Sequence, residues 1–137
     1  MKLVLDSSIV IAWLMPDEQA VEADAAIVAA MASGSDVPAL FGFEVANAMM
    51  MNVRRKRISL SDALAGIADL ASIEIRAEIA PTAEHLQRIA GVAAKHQLSA
   101  YGAAYLEMAI RLKATLASLD HNLMKAARAE DVRLFAP

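Results

Sequence analysis

The 137-residue chain contains no cysteine. Disulfide bonds, thiolate metal sites and a cysteine nucleophile are therefore excluded, and the composition fits a reducing compartment. Aromatic residues make up only 4% of the chain, so its core must be built from aliphatic side chains and the eight methionines. The abundance of alanine favours helices over strands.

The chain also lacks an excess of positive charge, since 13 Lys and Arg residues face 16 Asp and Glu residues, for a net charge of -3. Binding to a nucleic acid would need a local basic patch. One basic run, residues 54–57, indicates either phosphate contact or favourable charge at the end of a helix. No apolar run reaches the ~18 residues of a membrane span, and Asp6 interrupts the apolar stretch after Lys2. We therefore expect a cytoplasmic protein.

Short apolar segments alternate with helical patterns along the chain, without a repeat or a linker. Extended segments are predicted at residues 3–5, 36–38, 73–79, 115–119 and 132–134. Helices are predicted at residues 9–14, 18–32, 40–55, from 59 or 61 onward, 82–96, 99–113 and 121–129. This alternation predicts a single α/β domain over residues 1–137, a three-layer α/β/α sandwich with a mostly parallel central sheet.

Two of the predicted strands end in aspartate. Asp6 follows residues 3–5, and Asp120 follows residues 115–119. Each aspartate also suits the N-cap of the helix that follows it, which is the competing interpretation. However, the carboxyl ends of parallel strands lie at one edge of the sheet, where ligands bind in such folds. We therefore expect the two side chains to converge.

Glu44 is the third acidic candidate. It lies in an almost wholly apolar helical segment, residues 40–49, where a buried carboxylate is costly unless it is paired or bound to a cation. The alternative is that Glu44 faces solvent. Three converging carboxylates would raise one another's pKa, and Mg²⁺ or Mn²⁺ would relieve that repulsion.

An acidic cleft without histidine or cysteine ligands favours phosphodiester hydrolysis by metal-activated water over zinc chemistry. Asp6, Glu44 and Asp120 are the candidate catalytic and metal-binding residues. Nearby polar side chains could orient these acids or the waters of the ion. The candidates for that supporting role are Ser8, Asn47 and Ser118.

Four segments of the sequence resemble the four motifs of PIN-domain ribonucleases, and most closely the VapC toxins of bacterial toxin–antitoxin pairs. They are residues 4–8, 43–48, 98–106 and 116–120. The resemblance implies an α/β/α sandwich with Mg²⁺- or Mn²⁺-dependent endoribonuclease activity. It also implies frequent dimerisation and inhibition by a small VapB-like antitoxin.

Gly102 departs from this pattern, because the third motif of the family normally carries a metal-coordinating aspartate there. Glycine also disfavours a helix by roughly 0.5–1 kcal/mol relative to alanine. Three explanations are open: a natural degenerate member, an inactivating substitution, or a neighbour such as Glu107 taking over. Glu107 lies about 140° around the helix from residue 102 and is a poor substitute.

We expect an endoribonuclease weakened by Gly102. Two other interpretations remain open. One is a non-catalytic PIN-like module that sequesters an antitoxin or RNA, and the other is an α/β protein whose aspartates only cap helices.

Overall fold

A computed structural model describes residues 1–18 and 20–137 of the chain. Its central sheet contains four strands in the order β3-β2-β1-β4, and all paired neighbours run parallel. The strands are β1 (Leu3–Leu5), β2 (Ser35–Val37), β3 (Ile75–Ala77) and β4 (Thr115–Ala117). The predicted α/β fold with a parallel sheet is confirmed.

Helices connect the strands. They are α1 (Ser7–Leu14), α2 (Val21–Ser33), α3 (Phe41–Arg54), α4 (Leu60–Ala68), α5 (Ala83–His96), α6 (Ala100–Leu112) and α7 (His121–Ala129), with a short 3-10 helix at Asp69–Ser72. Serine or threonine side chains cap α4, α5 and α6 at the three positions expected from the sequence. These caps are Ser59, Thr82 and Ser99.

The order of the strands creates a switch point at the centre of the sheet. The chain moves outward from β1 to β2 and β3 through α1 to α4, and α5 and α6 then carry it back to β4 on the other side of β1. Right-handed crossovers in opposite directions place these two sets of helices on opposite faces of the sheet. The crevice for a ligand in such a sheet lies at the carboxyl ends of β1 and β4.

Polar and apolar residues do not alternate along β1 and β4. Every residue of both strands is buried, because helices cover both faces of the sheet. The outer strand β3 is partly or fully exposed along its length. Helices α2 and α6 both pack against β1.

Several predicted boundaries were wrong. The strand predicted at residues 115–119 ends at Ala117, and the helix predicted at residues 9–14 begins at Ser7. Helix α2 begins at Val21 rather than at residue 18, since Asp17 forms an ion pair with Arg57 at 3.0 Å instead of opening the helix. Residue 19 of that predicted helix lies outside the described residues. The strand predicted at residues 73–79 is limited to β3, and the segment at 132–134 forms a single bridge between Leu134 and Leu116.

Within residues 1–18 and 20–137, the helices are too short or too polar to span a membrane.

Leu116→Ala tests the central position of β4. Leu116 is fully buried, so we expect the substitution to lower the free energy of unfolding by about 2–5 kcal/mol through lost apolar contact and a cavity. Leu64→Ala is the control, because Leu64 is 57% exposed on α4 and its loss should cost less than about 0.5 kcal/mol. Urea denaturation measures both, and similar effects at the two positions would contradict this packing.

Candidate active site

Asp6 lies at the switch point, directly after β1. Its backbone N–H donates to the carbonyl of Ala117 at 3.0 Å, which extends the pairing of β1 with β4 by one residue. The side chain is only 6% exposed. Although Asp6 occupies the N-cap position of α1, its side chain makes no capping hydrogen bond. The capping interpretation is therefore wrong for Asp6.

Two serine hydroxyls hold one oxygen of this buried carboxylate. Ser8 donates to Oδ2 of Asp6 at 2.6 Å, and Ser118 donates to the same oxygen at 2.7 Å. The serines are themselves fixed, because Ser8 Oγ accepts from the backbone N–H of Leu119 and Ser118 Oγ accepts from that of Asp120. Oδ2 of Asp6 is thus fully engaged by residues from both strand ends.

The environment of Asp6 disfavours its negative charge. Burial raises the pKa of its carboxyl group, and the hydroxyls of Ser8 and Ser118 lower that pKa only in part. Repulsion from the nearby Asp120 carboxylate raises the pKa of Asp6 further. The structure therefore brings Asp6 and Asp120 within electrostatic reach of each other, as the two strand ends predicted.

Asp120 caps the helix that follows it and also lies close to Asp6. Its Oδ1 accepts hydrogen bonds from the backbone N–H groups of Asn122 at 2.9 Å and Leu123 at 3.1 Å, so it caps α7. Only one of its two carboxylate oxygens is used in this way. A capping role therefore leaves the second oxygen available to a ligand.

Glu44 lies in the first turn of α3 and is held by a residue that the sequence analysis did not identify. The Tyr105 hydroxyl donates to Oε1 of Glu44 at 2.6 Å, and the Tyr105 side chain is 1% exposed on α6. Burial raises the pKa of Glu44, the Tyr105 hydroxyl lowers it in part, and repulsion from Asp6 raises it. Burial and the Glu44 carboxylate also raise the pKa of Tyr105.

The spacing of α6 could have revealed Tyr105. Tyr105 lies three residues after Gly102, so the two residues share a helix face. In the resemblance, this is the face that carries the acid of the third motif. Its neighbours along the helix are mostly alanine and leucine, and a buried tyrosine needs a partner for its hydroxyl. The sequence does not indicate which acid that partner is.

The oxygen atoms at this site are of the kind that a hard divalent cation prefers. However, the acids present are too few to form a complete metal site. Carboxylate and hydroxyl oxygens are the ligands that such cations prefer. Asp6 lies near both other acids, yet the described residues contain no group of three or more His, Asp or Glu side chains arranged to hold a metal ion.

Gly102 leaves space where the fourth acid of the resemblance would stand. A Cβ atom built on Gly102 would have its nearest contact at 3.6 Å, to Ser99 Oγ, which is an ordinary van der Waals distance. The backbone N–H of Gly102 donates to that same oxygen in the cap of α6. A side chain at residue 102 is therefore compatible with the fold.

Glu107 does not replace the missing acid. It is 5% exposed and receives hydrogen bonds from Arg111 at 2.7 Å, with the His85 ring 2.8 Å away on the same oxygen. The His85 side chain is therefore largely covered by this contact. His96 lies 2.7 Å from Glu130 and is also largely covered.

The predicted supporting residues separate into two groups. Ser8 and Ser118 contact Asp6, whereas the Asn47 side chain is exposed and donates to the sulfur of Met51 at 3.7 Å. The hydrogen bond of the exposed Asn47 side chain is thus made to Met51, one turn further along α3.

The basic run lies at the far end of α3. Arg54 is ten residues from Glu44, which corresponds to about 15 Å along a helix. Arg57 is occupied by Asp17, Glu18 and Asn52. Arg54, Arg55 and Lys56 are exposed. The run is thus remote from the acids, and one of its four cations has a structural role.

Comparison with known proteins agrees with this arrangement. The family model described as "PIN domain" matches residues 3–129, nearly the whole chain. The chain belongs to the PIN domain family. The resemblance inferred from the four motifs is therefore confirmed, and the segments that carry it lie where β1, α3, α6 and β4 meet.

Individual relatives of the PIN domain chain support a nuclease family. The chain is 29% identical to Ribonuclease VapC3 of Pyrobaculum aerophilum over 90% of its own length and 92% of the relative. It superposes on the crystal structure of PAE2754 from Pyrobaculum aerophilum with a TM-score of 0.70 and 21% identity, covering 92% and 86% of the two chains. FitAcB from Neisseria gonorrhoeae gives a TM-score of 0.61 and 19% identity, covering 98% and 97%.

Asp6→Asn tests the electrostatic cost of the buried acid. Because the folded state raises the pKa of Asp6, its stabilising contribution is lost as pH rises from the unfolded pKa of about 3.9 through the folded pKa. Asparagine can still accept from both serines without a charge. With a chelator present, we expect the free energy of unfolding of Asp6→Asn at pH 7 to exceed that of the natural chain.

The control is Asp131→Asn, at an exposed residue of positive φ that asparagine tolerates. Urea denaturation between pH 3 and pH 8 should show the gain of Asp6→Asn disappearing at the acid end. A loss of stability at pH 7, or a gain that does not depend on pH, would contradict the assignment.

Proposed function

We propose that this chain, acting as a single domain, is a VapC-like endoribonuclease that hydrolyses RNA phosphodiester bonds and is weakened by Gly102. The observation that carries the proposal is the buried Asp6 carboxylate at the switch point of a PIN domain, with Glu44 and Asp120 near enough to repel it. Carboxylates gathered in a buried place are stabilised either by taking up a proton or by binding a cation, and a divalent cation stabilises several of them at once.

Asp6, Glu44 and Asp120 would hold Mg²⁺, or Mn²⁺ in its place. When bound, the ion would supply an activated water and stabilise the charge that develops on the phosphoryl group. The residues of the chain have a positioning task. Two serine hydroxyls orient Asp6, two backbone amides of α7 orient Asp120, and the Tyr105 hydroxyl orients Glu44. Ser7 adds hydrogen bonds to Asp6 and Glu44. The ion would take the remaining carboxylate lone pairs.

Gly102 explains why we propose weak activity. It contributes no carboxylate, and Glu107 is committed to Arg111 and His85. With fewer negative ligands, an ion that retains several waters would bind less tightly. The weakened activity is thus a consequence of one missing side chain in an otherwise formed cleft.

The partners follow from the same proposal. We propose an RNA substrate, a VapB-like antitoxin that covers the acidic cleft, a homodimer and a cytoplasmic location. The similarity to Ribonuclease VapC3 supports the substrate, and the absence of cysteine fits a reducing compartment.

The second candidate is a non-catalytic PIN module that binds an antitoxin or RNA. Glycine at residue 102 and the lack of a three-acid metal group in the described part of the chain favour it. Under that alternative the cleft would bind a partner without cutting.

Gly102→Asp separates these candidates. The space beside residue 102 accepts a side chain, so an aspartate should complete the acidic set without disturbing the fold. We expect at least about a 10-fold rise in Mg²⁺-dependent cleavage, since removing or adding one ligand or its support typically changes metal affinity or activity by about 10–100-fold. Cleavage is measured on an RNA panel that includes structured tRNA, with Mg²⁺ and with a chelator.

Two matched controls isolate the added charge. Gly102→Ala should stabilise α6 by about 0.5–1 kcal/mol without raising cleavage, which separates helix propensity from chemistry. Gly91→Asp adds the same charge to another helical glycine with open space around it, and should leave cleavage unchanged. If the Gly102→Asp protein binds RNA but neither cleaves it nor binds Mg²⁺ more tightly, the binding module is supported and the ribonuclease proposal fails.

A further inference from the structure

A hydrogen bond joins α6 to α3 at Glu44, and its donor is a residue that is not itself an acid. Tyr105 is buried in α6, and its hydroxyl is the polar end of an otherwise apolar helix face. That hydroxyl meets Oε1 of Glu44, which is 61 residues away in the sequence. The 2.6 Å distance is that of a strong hydrogen bond to a charged oxygen.

Glu44 needs such a contact more than the two aspartates do. A glutamate side chain has three rotatable torsions, and fixing it costs up to about 1.5–2 kcal/mol of conformational entropy. Asp6 is held by two serine hydroxyls and Asp120 by two backbone amides. Glu44 receives the 2.6 Å hydrogen bond of the Tyr105 hydroxyl, and the Ser7 hydroxyl is a further donor beside it. Glu44 is also only half-buried, so its surroundings leave room for other conformations.

We propose that Tyr105 is a positioning residue that fixes Glu44 by hydrogen bonding to Oε1 and so presents Oε2 toward Asp6. This inference rests on the proposed function, because it assigns Oε2 of Glu44, the oxygen that Tyr105 does not engage, to a divalent cation held by the acids. Helix α6 would then contribute to the cleft through residue 105 even though residue 102 carries no side chain. A cation would find Glu44 already oriented.

A purely structural tyrosine would fill the core and leave Glu44 unaffected. Tyr105→Phe distinguishes the two roles because it removes the hydroxyl and keeps the ring. Tyr101→Phe is the matched control, since Tyr101 lies one turn earlier on the same helix and is 65% exposed. Both substitutions are made in the natural chain and in the Gly102→Asp variant.

The first readout needs no metal. NMR couplings of Glu44, or a crystal structure of each variant, report its side-chain conformation. We expect one conformation in the natural chain and in Tyr101→Phe, and several in Tyr105→Phe. A single unchanged conformation of Glu44 in Tyr105→Phe would overturn the inference.

The second readout is Mn²⁺ affinity by calorimetry in the Gly102→Asp variant. We expect Tyr105→Phe to weaken binding by about 10-fold, the lower end of what loss of a group supporting a ligand causes. In a Glu44→Ala background the same substitution should have no further effect. An equal loss in both backgrounds would show that Tyr105 acts through the core and would contradict the inference.

The two readouts separate failure of the inference from failure of the proposed function. If the Gly102→Asp protein binds no Mn²⁺, the proposed function fails and the conformation of Glu44 still decides the role of Tyr105. If Tyr105→Phe does not fold, the hydroxyl proton of Tyr105 in the natural chain provides the test. Its slow-exchanging NMR signal should disappear in Glu44→Ala, and its persistence there would overturn the inference.

Discussion

A carboxylate buried at the junction of two parallel strands constrains the rest of this structure. Asp6 follows the fully buried β1, and the fold cannot expose it without breaking the pairing with β4. Desolvation and the charge of Asp120 both oppose its ionisation. Of the two serines that hydrogen-bond to Asp6, Ser8 lies in the first turn of α1 and Ser118 directly follows β4. The pairing of β1 with β4 that buries the acid therefore also brings these hydroxyls to it.

The two other acids are arranged around this point by different elements. Asp120 is oriented by the first turn of α7, and Glu44 is oriented by a tyrosine from α6. In each case the protein engages one oxygen of the carboxylate. Negative charge is thereby concentrated around Asp6. At residue 102 the fold has room for a Cβ atom, and glycine adds no acid to this group.

Much of the fold could be predicted from the sequence, because buried parallel strands have apolar runs and helix caps have recognisable residues. The strand that ends directly before Asp6 was identified in this way, whereas the strand predicted to end at Asp120 stops at Ala117. Boundaries were missed where a tertiary contact decided them: Asp17 pairs with Arg57 rather than opening α2, and Leu134 makes one bridge rather than a strand. The supporting role predicted for Asn47 stays a prediction, and its side chain donates to the sulfur of Met51.

The site was predicted less completely than the fold for a physical reason. Sequence patterns identify acids at strand ends, but they do not identify which side chains from distant helices hold them. Tyr105, His85 and His96 each pair with a glutamate from another helix, and these pairings depend on how the helices pack. The roles of Asp6, Glu44 and Asp120 in metal binding remain predictions.

The most direct test of a shared cation site is a crystal structure of the Gly102→Asp protein grown with Mn²⁺ and measured at a wavelength where manganese scatters anomalously. The account predicts one anomalous peak bounded by Asp6, Glu44 and Asp120, with carboxylate oxygens at inner-sphere distances near ~2.1 Å. An anomalous map without a peak in this cleft, with the three carboxylates too far apart to share an ion, would contradict it.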